Sequence, residues 1–116
     1  MSRWKYDEVA TREAREEAYF TLIHEMEISS DFMTKDRYYV IQSWASCIKK
    51  FWVDKSKDTS HLCEIYHTLN ATIPFMSSRV RSRMQRWAGL LWEVICFTDT
   101  IVEEEEMAAA ILPIKE

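Results

Sequence analysis

A chain of 116 residues, 47% of them hydrophobic and 29% charged, is long enough to bury one core and too apolar to stay disordered. Its net charge of −4, with a sequence pI near 5.4, disfavours a protein whose main work is coating nucleic acid. One Gly, two Pro and a single Asn leave too few turn formers for a β-sandwich, so the expected class is all-α: one domain over residues 1–116, a compact bundle of four to six helices around a central apolar helix.

In chain order, Trp4 to Glu27 is predicted as the first helix, with Ala10, Ala14, Ala18, Leu22 and Met26 in a row at four-residue spacing and Tyr19 and Ile23 beside it. The alanines would let another helix come close. Ser29-Ser30-Asp31 reads as the polar centre of a link. Thr34 is placed to cap a second helix, with Asp36 in its first turn and Ile41, Trp44, Ala45, Ile48, Phe51 and Trp52 on its apolar side. Tyr38-Tyr39-Val40 alone would suit a strand, but the helical spacing that follows outweighs it.

After a charged connector, Lys55 to Thr59, a third helix is predicted from Ser60, with Leu62, Ile65, Tyr66 and Leu69 buried. Pro74 disfavours helix at Ile73 and should end it. Ser77 or Ser78 can cap the fourth and longest helix, whose stripe is Val80, Met84, Trp87, Leu91 and Val94. Beyond Trp87 that helix is apolar nearly all round, with Leu90, Trp92, Ile95, Cys96 and Phe97, so the pattern places it at the centre of the fold. Glu103 to Glu106 would sit badly at a helix C-terminus, so a break there and a short fifth helix from Met107 to Leu112, stopped by Pro113, is expected; the alternative is one unbroken helix. The stretch from Trp87 to Val102, interrupted by Glu93 and Asp99, is too short for a membrane span.

No residue pattern points to catalysis or a cofactor. Cys63 and His67 lie four apart, with His61 nearby, but a structural zinc site needs about four ligands and no second cluster supplies them. His24-Glu25 lacks the second His of a metalloprotease helix, and the lone Gly89 lies inside an apolar helix, where it suits close packing better than a phosphate loop. Three cysteines without short paired spacing (Cys47, Cys63, Cys96) suggest free thiols. No N-terminal signal segment is read, and the expected location is the cytoplasm. Asn70-Ala71-Thr72 is a glycosylation sequon by coincidence on that reading.

Two features point instead to binding. Arg79, Arg81, Arg83 and Arg86 fall within eight residues that hold no acid. They form either a solvated face, an anchor for a partner's acidic side chain, or a phosphate contact; the acidic balance favours the anchor over the phosphate. The second is a surplus of large apolar groups, among them Trp44, Phe51, Trp52, Tyr66, Phe75, Trp87 and Trp92. If helices two, three and four leave some of these open, the groove suits an amphipathic helix of another protein. Leu62, Ile65, Tyr66, Val80, Met84, Trp87 and Leu91 would line it, with Arg83 or Arg86 pairing an acid.

Trp87, Leu90, Leu91 and Val94 resemble the tryptophan-led start of the central helix in the Bcl-2 family, above all its short viral members, and Ile41, Trp44, Ala45 and Ile48 follow the spacing of that family's degenerate death-motif helix. The resemblance implies a helical inhibitor of apoptosis that holds the death-motif helix of a pro-apoptotic partner. The chain departs from the pattern at Arg86-Trp87-Ala88-Gly89, where the family has Asn-Trp-Gly-Arg, and at Ser46, where the motif carries Asp. Two other readings stand beside it: a small viral or phage inhibitor docking on a host enzyme or defence complex, and a nucleic-acid module using the arginine helix. A second copy of the chain could also cover the aromatic face, giving a homodimer.

Overall fold

Four α-helices, α1 (Glu8–Glu27), α2 (Lys35–Val53), α3 (Ser60–Thr72) and α4 (Ser78–Ile111), with short 3₁₀ turns at Ser29–Asp31 and Ile73–Phe75, make up residues 8–111, the part of the chain that the computed structural model describes. The expected helical start at Trp4 and the stop at Pro113 lie outside these residues.

Each helix forms for a local reason. In α1 the four-residue row turns its later members inward: Ala18, Leu22 and Met26 are buried with Tyr19 and Ile23, whereas Ala10 stays exposed and Ala14 half-buried. Its last turn is closed by side chains, because Ser29 Oγ and Gln42 Nε2 each donate to the Met26 carbonyl at 2.7 Å. These two bonds satisfy a helix-end acceptor and tie α1 to α2. Thr34 caps α2, its Oγ1 accepting from the Arg37 amide at 3.3 Å. Ile41, Ala45, Ile48 and Phe51 form the buried face.

Two bonds end α2, from the Lys55 amide to the Trp52 carbonyl and from the Ser56 amide to the Phe51 carbonyl, both 3.1 Å. This is the Schellman arrangement, and it holds Lys55 at φ 53°, the left-handed conformation usually left to Gly. Asp58 then receives hydrogen bonds from the amide and the hydroxyl of Ser60, which start α3 and hold its carboxyl below the usual range. Pro74 stops α3 as expected, the chain tightening into the 3₁₀ turn.

The fourth helix does not break at the acidic run. It continues through Glu103 to Glu106 as part of 34 residues. The dipole penalty falls only on the last turn, and the run lies before that turn, followed by strongly helix-forming Ala108 to Ala110. Glu105 is moreover neutralised from outside the helix, by Arg12 and Lys57.

Side-chain pairs give the relative directions. Arg12 with Glu105, Arg15 with Thr98 and Glu25 with Trp87 run α1 antiparallel to α4. Thr59 with Asp99 and Tyr66 beside Trp92 do the same for α3 and α4. In the resulting ring α1 and α3 each pack on both α2 and α4. The core is shared by all four helices through Leu22, Met26, Ile41, Ile48, Leu62, Leu69, Met84, Trp87, Leu91 and Val94. Burial of each such large side chain contributes about 1.5–3 kcal/mol. The apolar fourth helix is therefore the longest wall of the bundle and not a rod enclosed on every side. No further helix among the described residues covers its outer face, where Gly89, Trp92 and Glu93 meet solvent. Among those residues, no helix is long and apolar enough to cross a membrane.

Candidate binding surfaces

The expected groove is closed. Leu62, Met84, Trp87 and Leu91 are fully buried and Ile65 nearly so, because α1 lies across the stripe of α4 and meets it with Ala18, Leu22 and Met26. These five residues hold the bundle together and offer nothing to a partner in this arrangement. Val80 and Tyr66 are half-buried at the edge of the core.

The arginine segment is largely spent within the chain. Arg86 Nε donates to both oxygens of Glu25, at 3.1 and 2.9 Å. Arg83 stacks its guanidinium over Phe32 at 4.6 Å, and Arg81 donates to the Met76 carbonyl at 3.0 Å. Neither Arg83 nor Arg86 is thus the unengaged anchor that the sequence suggested, and of the four arginines only Arg79 has no such contact among the described residues.

Large apolar groups are exposed on several helices, among them Phe20 on α1 and Tyr39 and Val53 on α2, but only the outer side of α3 with the adjoining face of α4 sets such groups beside a groove. Trp92, 48% exposed, leans on Tyr66 with ring centroids 5.0 Å apart, and Tyr66 in turn meets His67 edge-on at 5.7 Å. His67 forms one wall of a shallow groove of about 600 Å³ lined also by Arg37, Ala71, Phe75 and Met76. Phe75 stands in solvent at its end, 83% exposed. Arg37 is half-buried there with no carboxylate at ion-pair distance among the described residues. Beside Trp92, a methyl group at Gly89 would meet nothing within 4 Å, so no close packing among the described residues explains that glycine.

A second concavity, of about 460 Å³, lies where α1, the α2–α3 connection and α4 converge. It brings together Arg12, Arg15, Lys55 and Lys57 with only two acids, Glu16 and Glu105. Glu105 is shared, accepting from Lys57 at 2.9 Å and from Arg12 at 3.2 Å, and these bonds hold its carboxyl below the usual range. Arg15 donates Nε to the buried Thr98 hydroxyl at 2.8 Å and lies over the Trp52 ring at 4.4 Å. Burial first, then the neighbouring Arg12, lowers its pKa. Tyr19 stacks against Trp52, with 4.1 Å between ring centroids. The sequence gives little warning of this site, since its cations come from two helix turns and a connector far apart in the chain.

No protein family matches the sequence, and no curated protein or solved structure resembles the chain significantly.

Proposed function

We propose that the chain is a non-catalytic binding module that holds an amphipathic helix of another protein against the outer side of α3. The observation that carries this reading is the exposed Trp92, joined through half-buried Tyr66 to His67 on the wall of the shallow groove, with exposed Phe75 at the groove's end. Exposed aromatic groups in series are the anchors that a partner helix fills with residues spaced i, i+3 or i+4 and i+7. Arg37, half-buried in the groove, supplies the cation for an acidic side chain of the occupant, the role that the sequence assigned to Arg83 or Arg86. In its narrowest form, which rests on the Bcl-2 resemblance, the occupant is a death-motif helix and the chain inhibits apoptosis. The reading places the protein in the cytoplasm, with Cys47, Cys63 and Cys96 as thiols.

Fluorescence anisotropy with labelled amphipathic peptides, death-motif peptides among them, tests the proposal. Binding at about tens of micromolar or tighter is expected for at least one peptide. If none binds, the helix-holding reading is lost; if only non-death-motif peptides bind, the apoptotic form alone is lost.

A further inference from the structure

The cationic cavity between α1, α4 and the α2–α3 connection is a separate matter from the aromatic surface. Four cations and two carboxylates line it in a chain whose net charge is −4, so positive charge is concentrated here against the overall balance. Among the described residues, neither acid pairs with Arg15 or Lys55. Glu105 is occupied by Arg12 and Lys57, while Glu16 is exposed and makes no ion pair with Arg15 among the described residues. That leaves Arg15 half-buried and, among the described residues, without a carboxylate at ion-pair distance, its Nε spent on Thr98. The Thr98 hydroxyl is itself buried, and it accepts from Arg15 while its own hydrogen finds no acceptor among the described residues. A buried donor without an acceptor costs free energy unless something enters to take the hydrogen bond.

Lys55 adds an independent sign. It lines the cavity from a left-handed backbone position where an L-residue is disfavoured and Gly would fit without cost. Lys55 has no acidic partner among the described residues, so its ammonium group adds one more cation to the cavity wall. Ile101, Val102 and Trp52 complete the walls. Arginine and lysine together, with a hydroxyl donor, are the groups that recognise phosphate oxygens.

We propose that this cavity binds a small, multiply charged oxyanion of the phosphate class, through Arg15, Lys55 and the Thr98 hydroxyl, with Arg12 and Lys57 turning from Glu105 toward it. Pyrophosphate is the simplest probe. At ionic strength held constant with chloride, the thermal midpoint of the full chain should rise with pyrophosphate, by at least about 5 °C at a hundredfold excess over Kd. Arg15→Gln should weaken the apparent Kd at least about tenfold, the size expected for losing one charged hydrogen-bonding partner. Lys55→Gly separates binding from folding: it should raise the midpoint of the free protein and shrink the pyrophosphate-dependent rise. Arg79→Gln, on the far end of α4, should leave that rise unchanged. No rise in the parent protein, or an equal rise in Arg15→Gln and Lys55→Gly, overturns the proposal.

Discussion

Trp87 Nε1 donates to Glu25 Oε1 across 3.1 Å, joining the first third of α4 to the end of α1. The indole is fully buried, so this carboxylate is the acceptor that lets a polar N–H lie in the core. Arg86 grips the same carboxylate from the solvent side, which orients it.

Removing that acceptor should therefore cost more than removing its cation. Glu25→Ala strands the buried indole N–H and is expected to lower unfolding free energy by about 1–3 kcal/mol in urea titration. Glu25→Gln keeps an acceptor and should lose less. Arg86→Ala breaks only an exposed ion pair, with a loss of about 1 kcal/mol or below.

Gly89 presents the opposite case. A glycine inside a helix is worth about 0.5–1 kcal/mol less than alanine, and a methyl group at this position meets open space. Gly89→Ala should stabilise the isolated chain by that amount, seen as a higher denaturation midpoint with an unchanged slope. A loss of stability would mean that something lies closer to Gly89 than the fold places it.

Lys55 carries a cost of the same size for a different reason, its left-handed backbone at the end of α2. Lys55→Gly should gain about 1 kcal/mol in chemical unfolding, while Lys55→Ala, which keeps a Cβ, should gain nothing comparable.

Acid should unfasten the junction of α1, α4 and the α2–α3 connection. Hydrogen bonds from Lys57 and Arg12 depress the folded pKa of Glu105 below its ordinary 4.5. A depressed carboxylate contributes stability that is fully present above its unfolded pKa and lost as pH falls through the folded one. The parent protein should thus weaken from about pH 4.5 downward. Glu105→Gln should be less stable than the parent at pH 7 and converge with it in strong acid. Parallel curves for the two proteins across that range would remove Glu105 from the account.

Much of this architecture was readable beforehand, and the failures have a common cause. Periodicity located all four helices, the Thr34 cap and the stop at Pro74, because these depend on neighbours within a turn or two. It also picked Met84, Trp87, Leu91 and Val94 as one face of α4. Periodicity does not say which helix covers that face. The groove reading left it open to a partner, whereas α1 fills it, and Glu25 that anchors Trp87 lies 62 positions away. The break expected at Glu103 failed likewise, since the charges that offset Glu105 stand on α1 and on the α2–α3 connection. Lys55 and Lys57 read as a solvated connector until the fold set them beside Arg12 and Arg15. Phe75 stood out in the sequence only as one of several surplus aromatics and Arg37 not at all, because only the folded chain puts them in one groove with His67.

The surface on the outer side of α3 is tested most directly by a binding measurement on Trp92→Ala. Trp92 is 48% exposed and should be nearly dispensable for folding, so the variant is expected to keep its unfolding midpoint within a few degrees. Its affinity for a helical peptide that binds the parent should fall at least about tenfold, as the loss of an aromatic anchor requires. Unchanged affinity in a well-folded Trp92→Ala protein would contradict the account, and would move the binding surface away from α3.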